Sequence, residues 1–218
     1  MPLRIVLIHA TPVAIEPILS VFRQEWPLAE PVNILDDSLS TDLESAGSLT
    51  PAITRRIVSM AQYGSNIGAA AILFTCSAFG RAIDTAKTAL TIPVLKPNEA
   101  MFEDALSAGD RLGLLATFGP SVPSMEAEFH DLVHRRSSTA RLESLLVESA
   151  MAALLKDDGK AHNHLLAEAA PRLSACDAIM LAHFSTSRAL TEVQRAVDCP
   201  VLTSPHSAVT KLKKIFGD

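Results

Sequence analysis

Slid against itself, the sequence brings three separated blocks into register at one constant offset of 107 residues, and this repeat limits the fold more tightly than any other feature. Arg4-Ile5-Val6-Leu7-Ile8 falls over Arg111-Leu112-Gly113-Leu114-Leu115. The run from Ile72 to Ile83 falls over that from Ile179 to Leu190, and Pro93-Val94-Leu95 over Pro200-Val201-Leu202. Matches among Val, Ile and Leu are cheap. Two unrelated βαβ units, however, have no reason to keep Arg81-Ala82 over Arg188-Ala189 and Pro-Val-Leu over itself without a gap. The repeat therefore predicts a duplication: a first α/β domain of residues 1–97 plus 206–218, and a second of residues 98–205.

Within each half, short runs rich in Val, Ile and Leu alternate with longer amphipathic stretches. Parallel strands buried on both faces and joined by crossover helices read this way. Strands are expected at residues 3–9, 32–35, 70–75, 94–95, 112–116, 178–182 and 201–202, with a weaker one near 141–146. Pro12, Pro51, Pro97, Pro120, Pro123 and Pro205 punctuate the strand-to-helix turns, where Pro in a first helical turn loses no hydrogen bond. The expected class is thus α/β, two pseudo-symmetric halves each with a mainly parallel sheet flanked by helices. Ligands of open α/β sheets bind beyond the strand C-termini, so the site is expected in the cleft between the halves.

Composition removes several functional classes. A net charge of −5 without a dense Lys/Arg run argues against nucleic acid or an anionic membrane as partner. No stretch approaches 18 uninterrupted apolar residues, and the N-terminus does not resemble a signal peptide. Cys76, Cys176 and Cys199 are odd in number and widely spaced, which offers neither a disulfide framework nor a metal site and suits the cytoplasm. His130, His134, His162 and His164 lie on polar helical stretches and complete no recognisable ligand set, so no metal is expected. No glycine-rich nucleotide motif or G-x-S-x-G occurs, and no cofactor is expected.

The repeat also selects the chemistry, because Cys76 and His183 occupy equivalent positions, each directly after a buried strand and before a helix. A helix N-terminus favours thiolate over thiol and binds anions. A lone Cys is more often a structural apolar residue, but Cys76 stands between Thr75 and Ser77 at a strand end. His183 read alone is a structural histidine; read as the counterpart of Cys76 it is an acid, a base or the partner of a thiolate. Thr11, Thr75, Ser77, Thr117, Ser121, Ser185 and Thr186 stand at strand-to-helix turns, each a helix cap by default. As a set they can bind a carboxylate and stabilise an enolate-like intermediate, Thr75, Ser77, Thr117 and Ser185 foremost. Asp36-Asp37-Ser38, Lys96 and His206 are weaker candidates whose ordinary reading is a solvated surface.

The strand ending in Thr75-Cys76-Ser77, its counterpart Leu181-Ala182-His183, the Pro93-Val94 strand and the Leu114-Leu115-Ala116-Thr117 strand end resemble the aspartate/glutamate/hydantoin racemase superfamily, which includes maleate isomerases and arylmalonate decarboxylases. The resemblance spans nearly the whole chain. It implies two pseudo-symmetric halves, no cofactor, and a pair of cysteines exchanging protons on opposite faces of the carbon next to a carboxylate. Here His183 stands at the second cysteine position. The implied function is a cofactor-independent racemase or isomerase acting on a small amino acid or related acid, with Cys76 and His183 catalytic and Thr11, Thr75, Ser77, Thr117, Ser185 and Thr186 binding substrate. A decarboxylase or lyase using Cys76 as sole proton donor, or a non-catalytic small-carboxylate binding protein, stands as the alternative. The expected partner is a small carboxylate, with a homodimer or higher homo-oligomer as the default assembly.

Overall fold

The computed structural model describes residues 2–217. These form eight strands: β1 (Arg4–His9), β2 (Glu30–Leu35), β3 (Ala71–Phe74), β4 (Val94–Leu95), β5 (Arg111–Ala116), β6 (Arg141–Leu146), β7 (Ala178–Leu181) and β8 (Val201–Thr203). The α-helices are α1 (Ile15–Glu25), α2 (Ser38–Ala46), α3 (Pro51–Asn66), α4 (Gly80–Ala89), α5 (Glu99–Ala108), α6 (Val122–Arg135), α7 (Glu148–Leu154), α8 (Gly159–Ala169), α9 (Leu190–Ala196) and α10 (Ser204–Phe216). Short 3-10 turns at Ser77–Phe79, Gly119–Ser121 and Phe184–Ala189 follow β3, β5 and β7. Each of the eight expected strands is present, with ends moved by two residues at most. Among the described residues no helix is long and apolar enough to cross a membrane.

The chain divides into two compact units, one running to Pro97 and resuming at Ala208, the other Asn98–Ser207. Each holds one four-stranded, all-parallel sheet, ordered β2-β1-β3-β4 in the first and β6-β5-β7-β8 in the second. The sequence repeat is also a repeat of register. Val6 pairs with Ile72 and Gly113 with Ile179; Ile72 pairs with Val94 and Ile179 with Val201, all at 107. The outer pairing slips, because Arg4 faces Glu30 but Arg111 faces Arg141, an offset of 141 − 30 = 111 for the edge strand. The connection from β5 to β6 is thus four residues longer than that from β1 to β2.

The side chains alternate across each sheet, so both faces need cover. In the second unit Leu112, Leu114, Ala116, Met180 and Ala182 pack on one face with Phe102 and Phe129, while Leu115, Ile179 and Leu181 pack on the other with Leu166 and Val193. In the first unit Val6, Ile8, Ile72 and Phe74 meet Ile53, Ile57 and Ile83. Local signals start the helices. Thr50 accepts the Ile53 N–H ahead of Pro51, and Asp158 accepts the Ala161 N–H ahead of α8. The chain crosses α3 over β1 closely enough that a Cβ on Gly64 would lie 3.0 Å from Val6 Cγ1.

Candidate functional site

β3 and β7 occupy the same place in their sheets, and their ends are tied down alike. The Thr75 N–H donates to the Ile8 carbonyl at 3.0 Å, and the Ala182 N–H to the Leu115 carbonyl at 3.0 Å, again at 107. The next residue in each case, Cys76 and His183, is extended, leads into a 3-10 turn and is half-buried. Beyond these two lies the part of each unit where the chain is free of ladder bonds and side chains can meet a ligand.

In the first unit the structure assembles a polar group at the strand ends. His9, fully buried at the end of β1, lies between Thr75 Oγ1 (2.8 Å from Nδ1) and Asn33 Oδ1 (2.9 Å from Nε2). An Asn oxygen only accepts, so Nε2 carries the proton and Nδ1 accepts from the Thr75 hydroxyl. Burial lowers the His9 pKa, with Asn33 opposing, so the ring is neutral at physiological pH. The Thr75 hydroxyl is committed inward to His9, with the Ile8 carbonyl 3.3 Å away. Ser77 is buried in the turn, and Thr11 is extended ahead of the turn Pro12–Ala14, making no side-chain cap.

Cys76 departs from the sequence expectation of a thiolate. Burial pushes its thiol up to about 11, and the Ala78 N–H opposes this only in part. Little offsets the burial, because the residues after Cys76 form a three-residue 3-10 turn rather than the first turn of an α-helix. Cys76 is a thiol at neutral pH.

In the second unit His183 is held on both ring nitrogens. Nε2 is 2.8 Å from Ser121 Oγ, whose own proton goes to the Phe118 carbonyl at 2.9 Å. The Thr117 N–H and Oγ1 lie 3.4 and 3.3 Å from Nδ1. A backbone N–H can only donate, so Nδ1 is the acceptor and Nε2–H the donor. Burial lowers the pKa to about 4, with a smaller contribution from His162. Thr186 closes the turn, its Oγ1 taking the His183 N–H at 3.2 Å and donating to the His183 carbonyl at 2.6 Å; Ser185 is buried beside it.

Thr117, Ser121, His183 and Thr186 are therefore one hydrogen-bonded group in the second unit, and Thr75, beside Cys76, is tied to His9 in the first. His9 and Asn33 escaped the sequence reading; the signal was a polar residue closing the apolar run of β1. His162 is corrected as well: it is fully buried rather than on a polar surface. The weaker candidates find partners elsewhere. Asp36 binds Arg56 and Ser38, Lys96 binds Asp84 at 2.8 Å, and His206 Nδ1 lies 2.6 Å from Thr203 Oγ1. Among the described residues no group of three or more His, Cys, Asp or Glu side chains is arranged to hold a metal ion.

Solved structures share this fold at low identity. Glutamate racemase isoform RacE1 from Bacillus anthracis superposes with a TM-score of 0.75 at 13% identity, covering 99% of this chain and 82% of that one. Aspartate racemase from Picrophilus torridus gives 0.75 at 14% (99% and 94%), and allantoin racemase from Klebsiella pneumoniae 0.74 at 14% (99% and 88%). No curated protein matches. The Asp/Glu/Hydantoin racemase family model matches residues 18–175, well over half of the sequence. With that match and the doubled parallel-sheet fold, the chain belongs to the Asp/Glu/Hydantoin racemase family and is an isomerase of the racemase type.

Proposed function

We propose that the protein moves a proton at the carbon next to the carboxylate of a small amino acid or related acid, with His183 and Cys76 as the two proton-carrying groups. The observation that carries the reading is the equivalence of these residues: each is the first residue past the ladder on the third strand of its unit, at an offset of 107. The reading requires one group from each unit to reach a single substrate, from opposite faces of the reacting carbon.

The resting protonation states give the two groups different tasks. Neutral His183 has a lone pair on Nδ1, where its contacts are long; the short bond from Nε2 to Ser121 anchors the ring. Nδ1 gives up its long contact with the Thr117 N–H, which turns to the substrate carboxylate, and takes the α-proton, and the electron pair of the C–H bond flows into the carboxylate to form an enediolate. The Cys76 thiol then delivers its proton to the opposite face, leaving a thiolate opposite an imidazolium. Return of that proton, through solvent or by reverse turnover, resets the pair. A bound carboxylate acts on both groups. Its negative charge favours the imidazolium, raising the basicity of His183, and holds Cys76 protonated until the imidazolium formed in the first step offsets the cost of the thiolate. Hydroxyl and backbone donors at the strand ends, among Thr11, Ser77, Thr117 and Ser185, hold the developing charge.

A second reading has specific support. A thiol that is protonated at rest suits a one-sided proton donor, as in a decarboxylase or lyase with Cys76 as its sole acid. Incubation of small 2-substituted carboxylates in D2O, followed by proton NMR and chiral chromatography, separates the two. Deuterium entry at the α-carbon with inversion supports the paired mechanism. Loss of carbon dioxide or cleavage that survives His183→Ala and not Cys76→Ser supports the second. Full turnover in both variants removes Cys76 and His183 from the chemistry.

A further inference from the structure

α8 packs against the turn that follows His183, and it brings there a buried histidine that the proton transfer does not use. His162 is fully buried; its Nδ1 is 3.0 Å from Asn163 Oδ1, and its Nε2 has no hydrogen-bond partner. Asn163 Nδ2 donates to the Arg188 carbonyl at 3.2 Å and to Glu192 Oε1 at 3.1 Å. Arg188 lies in the turn Phe184–Ala189 and Glu192 in α9, so this one amide grips both elements following His183.

The geometry determines every proton in the chain. A backbone carbonyl only accepts, so the Asn163 nitrogen must face Arg188, which turns Oδ1 towards His162. His162 must then be protonated on Nδ1. The other tautomer would set a lone pair against Oδ1 and leave a buried N–H without an acceptor, whereas the present one leaves only a bare lone pair. The far end of the turn is fixed independently, by the paired bonds between Thr186 and the His183 backbone. The segment carrying His183 is thus pinned at its start by Thr186 and at its end by Asn163.

We propose that His162 and Asn163 are positioning residues for His183: His162 sets the orientation of the Asn163 amide, the amide holds the turn at Arg188, and the turn keeps the His183 ring seated between Thr117 and Ser121 in its Nε2–H form. The relay explains why a histidine occupies a fully buried position one helical turn before Leu166, where an aliphatic residue would pack without an orphaned atom. Burial keeps His162 neutral as well, and a charge there would act on His183. The meaning of the relay for catalysis rests on the proposed role of His183; its existence does not, so the test uses the protein without substrate.

The experiment is long-range proton–nitrogen NMR of the imidazole rings across a pH titration. In the wild type, His183 is expected as a single Nε2–H tautomer. In Asn163→Ala that signal is expected to be lost to a mixture of tautomers, with titration shifted towards the ordinary histidine range. Asn163→Asp can still accept from His162 but cannot donate to Arg188, and the same loss is expected there. His162→Asn, which keeps a donor near the place of Nδ1, should retain the wild-type signal, and His162→Phe should lose it. An unchanged tautomer and titration of His183 in the folded Asn163 variants overturns the proposal, and those variants decide it if His162→Phe does not fold. Equal spectra for His162→Asn and His162→Phe overturn the part assigned to His162.

Discussion

Burial, rather than charge, governs the two residues at the strand ends. A thiol pushed up to about 11 is almost wholly protonated at neutral pH, so Cys76 should alkylate slowly there. Iodoacetamide labelling followed by mass spectrometry across pH should give Cys76 an apparent pKa near 11; labelling that saturates below pH 8 would refute this protonation state. The histidines make the reciprocal prediction for stability. Burial holds His9, His162 and His183 below the ordinary histidine pKa of about 6.5, so they are neutral in the fold and take up protons more readily when it opens. The unfolded chain therefore binds more protons as pH falls below about 6.5, and the stability present above that pH is progressively lost down to the folded values. For His183, with a folded value of about 4, the loss is up to about 3 kcal/mol. Urea midpoints at pH 7 and pH 5 should differ by more in the wild type than in His183→Gln, which keeps a donor to Ser121 but cannot titrate. Most of this was not legible in the sequence. His162 is flanked by Lys160, Asn163 and His164, and only its spacing of four from Leu166 marked it as core-facing.

At the scale of elements the sequence was far more explicit, and the reason is periodicity. β3 and β7 are buried on both faces, so four consecutive apolar residues announce each of them. β6 announces itself weakly because it is an edge strand with only one buried position, and because the four extra residues before it break the offset of 107. What joins the strands at their starts was not visible at all. The Asp177 carboxylate accepts the N–H groups of Asp110 and Arg111 at 3.0 and 2.8 Å, tying the start of β7 to that of β5. Gly109 makes this approach feasible, since a Cβ there would lie 2.4 Å from the Asp177 Cβ. Gly109→Ala must displace that contact and is expected to destabilise the protein by about 1–3 kcal/mol, read from urea unfolding. An unchanged midpoint would show that the two strand starts can separate without loss.

The whole molecule doubles one sheet order but not one chemistry, because a thiol stands at one strand end and an imidazole at the equivalent place of the other. In the proposed reaction the active resting form carries one transferable proton, on Cys76. The form left after a turnover, thiolate with imidazolium, carries the same total. Both directions therefore draw on one protonation state of the free enzyme, and kcat/KM follows the same pH profile whichever antipode is supplied. Protonating His183 removes the base and sets the acid limb at about 4; ionising Cys76 removes the acid and sets the alkaline limb at about 11. The expected profile is an unusually wide plateau, cut short on the acid side only where the protein begins to unfold. A pair whose active form is a thiolate beside a neutral imidazole, one proton fewer, would instead show activity rising through the ordinary thiol range. Initial rates for each antipode from pH 5 to pH 10.5 distinguish them. A flat profile fixes the pair carrying one transferable proton as the active form, and a rise with an apparent pKa of about 8 to 9 shows that Cys76 must first lose its proton.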